Sequence, residues 1–488
     1  MRGLAGYLGF VAAFVAPGLA LLYALGLVRR VREVPAALGP AFLAGVAVVM
    51  SLLMLALTAG VAVRMPAFAA AAGGLTAALA VSGFVLARRS ETGDGEPAPV
   101  CAAAPTALEK WLTRAVIGLL AAFFVIGYTA YRKSSTVGDD WAIWSYKGLA
   151  LFEFGGKLDN GTFTGTVPGP AHLDYPLLLP LFQSLFFRSV GAAQLQQFHS
   201  VLWLLFAAFI WTIAWLARAR GLPLLALLIP TAALAFTSKS HTLVADGYAD
   251  VPVAAFAGAG VLAVGLWLQN GGRRYAILGA VLLVAAANTK NEGLMAAAAV
   301  LAVAGAVVLI ERGREWRTWL MTAAVVAAGV APWTLWRSSN HIRSQDVAPL
   351  GDALGPSHTL DRLDRVPKSF TALLDSLSDG AHWGYIPACL LVLAIACLVW
   401  GTARRQAAFY LAVPTVMLLG LVFVYWTGLP PIDYWLENSA NRTVAGVVYV
   451  CGVGLVHLTA LVVGRLGAPG PERAPATGLS GRPGEIPP

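Results

Sequence analysis

Charge is what this chain has least of. Only 12% of its 488 residues are Asp, Glu, Lys or Arg, against 58% hydrophobic residues, whereas a soluble domain carries about 25% charge. That shortage excludes a water-soluble globule of this length. Cysteine is scarcer still: of four, Cys389, Cys397 and Cys451 lie inside apolar runs and Cys101 in a linker. With no paired spacing among them, neither a disulfide framework nor a cysteine zinc site is indicated. A basic face is missing too. The net charge is +9, but the arginines fall in short clusters between apolar runs, so they read as topology signals and nucleic acid is excluded as a partner. No alternating barrel pattern, no internal repeat and no polar stretch large enough for a separate soluble domain is present.

What is present is apolar sequence long enough to cross about 30 Å of hydrocarbon, again and again. Spans are expected at roughly 4–28, 39–63, 66–87, 112–131, 197–217, 222–238, 251–268, 274–288, 293–310, 318–337, 384–401, 407–427 and 443–464. The fold class is therefore all-α, a polytopic transmembrane helical protein of about 13 spans, because lipid-exposed backbone must satisfy its own hydrogen bonds. The first apolar run continues to about Val28, too long for the core of a cleaved signal, and is expected to be a retained span. Residues 177–187 are too few to cross and are expected to lie in the interface or to re-enter.

With that segment left out of the count, the clusters Arg29/Arg30/Arg32, Arg88/Arg89/Lys110/Arg114, Arg218/Arg220, Arg273/Arg274, Arg312/Arg314/Arg317 and Arg404/Arg405 all fall on one side, as the positive-inside rule requires. The same topology puts 132–196, 239–250, 289–292, 338–383 and 428–442 on the outer face of a cell (inner) membrane, with the C-terminus cytoplasmic. Four regions follow: an N-terminal three-helix unit (1–89), a Pro/Ala-rich cytoplasmic linker (90–110), a larger membrane module (111–466) and a Pro/Gly-rich tail (467–488) expected to be disordered.

The outer segments hold nearly all the chemistry. In GDDWAIWSYKGLA, Asp139 and Asp140 follow a span at headgroup depth, and Trp141, Trp144, Leu151 and Phe152 recur at helical spacing, the pattern of a helix lying flat in the lipid boundary. An Asp before a helix is also what capping produces. In HLDYPLLLP, Pro176 biases Tyr175 towards an extended backbone and turns His172, Asp174 and Tyr175 back to the surface. A plain polar turn would read the same way. Asp246 and Asp250 in SKSHTLVADGYADVP sit close enough to hydrocarbon that they need partners or a function. In ANTKNEGL, Lys290 and Glu292 interrupt an apolar stretch, and Lys290 could simply snorkel. Arg442, in ENSANRTV beside Glu437, stands on the outer side against the charge bias, which implies a fixed anion, either a protein carboxylate or a phosphate. Asn160 matches a glycosylation acceptor by pattern only. In the long loop 338–383, Phe370, Leu373, Leu374 and Leu377 make an amphipathic piece that could cover a cavity or float in the interface.

These residues carry a resemblance. The D-x-W-x-I-W, YP-L-L-L-P and K-N-E-G set over about 112–465 resembles the GT-C superfamily of membrane glycosyltransferases, which includes the protein O-mannosyltransferases, the aminoarabinose transferases and uncharacterised bacterial members. The resemblance implies a GT-C-like module with interfacial helices in the first large outer loop. It also implies a general base there, Asp139 with Asp140 as neighbour and rival, and Lys290 beside a lipid phosphate. Asp246 or Asp250 would be the second-loop acid. Two departures stand out: Asn-Glu follows the lysine, and three extra spans precede the module. Some relatives hold a divalent metal between loop acids, and Asp139, Asp140, Asp246 and Asp250 could do so; the nearer likeness is to members without metal, so no cofactor is expected.

The expectation is an inverting glycosyltransferase that moves a sugar from a polyprenyl-phosphate donor to a glycan, lipid or protein acceptor hydroxyl at the outer face. Asp139 would be the base with Asp140 in support, and Lys290 and Arg442 would hold phosphate. Asp246 and Asp250 would orient sugar or acceptor, Glu292 would bind substrate, and Trp144, His172 and Tyr175 would line the pocket. The alternatives are a transporter or flippase of lipid-linked glycans and a non-catalytic assembly subunit.

Overall fold

A computed structural model describes residues 2–90, 106–136, 138–158, 161–164, 172–218, 224–311, 313, 315–348, 350–353 and 355–466. Most of the linker, the tail 467–488, Cys101, Asn160, Arg220, Arg312 and Arg314 lie outside the described residues. The described residues are overwhelmingly helical, as apolar sequence without water to bond its backbone must be. In order, the helices are α1 (Arg2–Ala24), α2 (Val34–Thr58), α3 (Met65–Ser90), α4 (Ala107–Tyr131), a π-helical turn (Asp140–Ser145), α5 (Tyr146–Glu153), α6 (Leu178–Val190) and α7 (Leu195–Arg218). Next come α8 (Leu224–Ala235), α9 (Ser238–Ala245), α10 (Asp250–Asn270), α11 (Arg273–Thr289), α12 (Asn291–Ile310) and α13 (Trp316–Ser339). Four short or amphipathic helices, α14 (Leu350–Ala353), α15 (Pro356–Leu360), α16 (Arg365–Ser378) and α17 (Gly380–Trp383), lead to α18 (Ile386–Val399), α19 (Arg404–Thr427), α20 (Ile432–Thr443) and α21 (Ala445–Leu466).

Among the described residues, ten helices are long and apolar enough to cross a membrane. The chain is thus a polytopic helical membrane protein. The other three stretches read as spans, 222–238, 274–288 and 384–401, form the helices α8, α11 and α18, of 12, 17 and 14 residues.

The core is built around α10, buried along nearly its whole length and packed against α7, α11, α12 and α21. The first helices belong to this packing, with α2 against α7 and α11, and α1 against α6. Small residues permit the closest approach: a Cβ at Gly18 would run into the Ala41 carbonyl, and one at Gly45 into the Phe14 carbonyl, the close contact that holds membrane helices together.

Segment 177–187, expected in the interface or re-entrant, does not present its side chains to lipid. Leu177 to Phe187 are all buried inside the protein, and Arg188 anchors the end of α6 by donating to the Leu151 and Phe152 carbonyls at 2.8 and 2.6 Å. The interfacial helix of the first loop is also more buried than its sequence implied: Trp141 is exposed, but Trp144 and Leu151 point inward. In the long loop, α16 buries Leu373 and Leu377 against its neighbours α19 and α20 and leaves Phe370 and Leu374 exposed.

Gly45→Val should overpack the α1–α2 crossing and cost about 1–3 kcal/mol, read as a lower unfolding temperature in detergent. Gly73→Val, where nothing lies within 4 Å of an added Cβ, should leave it unchanged.

Candidate functional site

Two consecutive carboxylates take different surroundings at the start of the helical segment that follows α4. Gly138, at φ 54°, brings the chain in, and the π-helical turn that follows widens the spacing of side chains, a feature frequent at functional sites. Asp139 lines a cavity of about 450 Å³. Asp140 points the other way, 2% exposed, accepting from Ser145 Oγ at 2.6 Å and lying 2.9 Å from His199 Nε2 on α7. Gln183 on α6 donates to the same Ser145 oxygen. Gly247, at φ 73°, closes over this pair: a Cβ there would lie 2.5 Å from the Asp140 carboxylate and 2.7 Å from His199 Nε2. Asp140, expected in support of Asp139, does not line the cavity; its carboxylate is engaged by Ser145 and by His199 of α7.

The cavity gathers charge from helix ends far apart in sequence. Arg442, near the end of α20, is ion-paired with Asp139 and lies over the Tyr248 ring, 5.0 Å from its centroid. Lys290 sits in an extended link between α11 and α12 and bridges Asp250 at 2.9 Å and Glu292 at 2.8 Å. Burial works against its ammonium, but the two carboxylates outweigh it and hold its pKa above the ordinary lysine range. A narrow cleft between α10, α12, α19 and α21, lined by Asp250, Val253, Ala257, Met417 and Val447, shares Glu292, Met295 and Arg442 with this end of the cavity. Asp246, expected among the substrate ligands, does not line the cavity. It caps α9 from behind, where burial raises its pKa while Lys239 and His199 act the other way.

The facing wall is aromatic. Trp144, Tyr175 and His172 stack nearly parallel, with centroids 5.5 and 4.8 Å apart. Beneath them Lys147, fully buried, donates to the His172 carbonyl, and its Nζ is 5.7 Å from both the Trp144 and Tyr175 rings. Asp174 is buried as well and holds the turn to α12 by accepting from Asn291 at 3.1 Å. Asp346, from the long loop, was not singled out in the sequence. It accepts from the Tyr175 hydroxyl at 3.0 Å and lies 3.3 Å from His172 Nδ1; burial opposes its charge, but His172 and Tyr175 prevail and lower its pKa. Tyr425, Tyr434, Trp435, Asn438 and Ser439 complete the lining.

The structure thus brings Asp139, Lys290, Glu292, Arg442, Trp144, His172 and Tyr175 to one cavity, with Asp250 on its adjoining cleft. Asp140 and Asp246 stand behind it. His199 and Asp346 are the contributors sequence reasoning missed; Tyr248 is part of the polar SKSHTLVADGYADVP loop but was given no role. Among the described residues, no three His, Cys, Asp or Glu side chains are grouped to hold a metal ion. The chain matches no protein-family model, no curated protein and no solved structure.

Burial pushes the Lys147 ammonium down to about 7, with Asp174 opposing, whereas a lysine in the unfolded chain titrates near 10.4. Between those values the unfolded chain binds the extra proton, so this residue's contribution to stability rises with pH from about 7 to about 10 and is lost as pH falls back to 7. Lys147→Met should flatten that rise; equal pH dependence of the unfolding temperature in variant and parent would contradict the assignment.

Proposed function

We propose that the protein is an inverting glycosyltransferase using a polyprenyl-phosphate-linked sugar at the outer face of the cell membrane. The observation that carries the reading is the meeting, in one cavity, of two cations, Lys290 buried and Arg442 partly so, with several carboxylates, next to a stacked aromatic wall. A lipid-phosphate sugar offers matching chemistry: a phosphate for Arg442 and Lys290, and a sugar ring for the Trp144, Tyr175 and His172 faces. In this reading α8, α11 and α18 count as crossings, which makes thirteen. The module has a GT-C-like arrangement, the cavity opens outside and the C-terminus is cytoplasmic.

The reaction asks three things of the residues. Asp139 takes the proton of the acceptor hydroxyl, a contribution of about a hundredfold to ten-thousandfold. The acceptor oxygen bonds to the anomeric carbon from the face opposite the phosphate, and the carbon–oxygen bond to phosphate breaks, inverting the centre. Arg442 and Lys290 hold the departing polyprenyl phosphate as its charge develops, with Asp250 and Glu292 fixing Lys290.

A transporter of the same lipid should hold its ionisable groups at mid-membrane and be built from repeats. Here the charged residues of the cavity stand at helix termini: Asp250 opens α10, Lys290 and Glu292 flank the start of α12, and Arg442 closes α20.

Asp139→Asn should lower sugar transfer at least about a hundredfold and leave the lipid-linked donor to accumulate unconsumed in the outer leaflet. Donor trapped in the inner leaflet would indicate transport instead, and unchanged glycan output would indicate an assembly subunit.

A further inference from the structure

The carboxylate proposed as base is occupied. Asp139 faces the cavity, but its oxygen is in contact with the Arg442 guanidinium, so that oxygen is already engaged by a donor and closed to an acceptor hydroxyl. The same guanidinium is the group best shaped to take a phosphate, which it binds in bidentate fashion. One cation therefore has two claimants.

The surroundings allow exchange between them. Arg442 is fixed from below by the Tyr248 ring, 5.0 Å from its centroid, not by Asp139 alone. Its Nε is buried with no hydrogen-bond partner, so a donor group remains for an incoming anion. Lys290, by contrast, is gripped from both sides by Asp250 and Glu292. Asp139 follows a glycine in the left-handed region, beside the Tyr248 hydroxyl, on a short outer segment and not within a long helix. Of the two partners the carboxylate is the one free to turn away.

We infer that the Asp139–Arg442 pair is a latch opened by the phosphate of the lipid-linked donor, with Tyr248 as the positioning residue that keeps the guanidinium in place while its partner changes. Phosphate oxygens replace the carboxylate on Arg442, and Asp139 becomes a free base only once the donor is seated. Acceptor, or water, entering first meets a masked carboxylate. The order of binding is donor, then acceptor. This rests on the glycosyltransferase reading and adds to it an obligatory order and a role for Tyr248.

The test uses the full chain in lipid nanodiscs and farnesyl phosphate as probe, with farnesol as the phosphate-free control, titrated by calorimetry. Wild type should bind the phosphate in preference to the alcohol. Asp139→Asn removes the competitor while keeping shape, and should bind farnesyl phosphate about tenfold tighter or more. Arg442→Gln should bind at least about tenfold more weakly, and the double variant should resemble Arg442→Gln alone. Tyr248→Leu should weaken binding, and Tyr248→Phe should restore it. A wild type that prefers the phosphate with an Asp139→Asn variant that binds equally or more weakly overturns the latch alone. A wild type with no preference for phosphate over alcohol overturns the donor reading together with the latch. Misfolding would not tighten binding, so the Asp139→Asn result decides even if the Arg442 variant proves unstable.

Discussion

A charge buried beside hydrocarbon has to find an opposite charge, and this constraint organises the end of the bundle that carries the cavity. Lys290 is held between Asp250 and Glu292, and Arg442 by Asp139. Lys290–Asp250 closes the open end of the α10–α11 hairpin, and Arg442–Asp139 joins α20 to the segment after α4. Removing one member of the buried Lys290–Asp250 pair leaves the other uncompensated, at about 3–5 kcal/mol. The pairs therefore fix helix ends to one another while leaving a polar cavity between them, and the apolar lengths of the same helices supply the packing below.

The second support is the turn His172–Tyr175 and what crosses it. The aromatic wall would be loose on an outer segment alone, but Gln345 accepts from the His172 backbone N–H and Asp346 binds both His172 and Tyr175. The next residue, Val347, bridges to Gly428, whose carbonyl accepts from Arg362 and Arg365. The long loop is thus tied across the cavity mouth, from the first outer segment to the loop before α20. Stacked rings on one side and paired charges on the other give the cavity two chemically distinct walls, suited to a ligand with a ring at one end and an anion at the other.

Much of this was legible in composition and charge placement. Twenty apolar residues in a row can only be helical in lipid, and Arg442 on the wrong side of the charge bias implied a fixed anion, which the structure gives as Asp139. Other features depend on contacts across long sequence separations. Asp139 and Asp140 are equivalent on paper. They diverge because Asp140 meets His199 and Ser145 in the interior. An apolar run of eleven residues reads the same whether lipid or protein surrounds it, so the full burial of 177–187 could not be foreseen. Asp346 lies 171 residues from the tyrosine it binds, in a polar loop where nothing distinguishes it from its neighbours. Asp246 is the converse, a carboxylate conspicuous in sequence that faces away from the cavity.

The account depends on residues 139 and 442 being neighbours at the outer surface. With the native cysteines replaced by alanine, Asp139→Cys and Arg442→Cys in one chain should be joined by a short membrane-impermeant bifunctional thiol reagent applied to the outer side of intact membranes, and protected from it when the reagent meets only the cytoplasmic side. No cross-link from either side, or one formed only from the cytoplasm, would contradict the convergence on which the site is built.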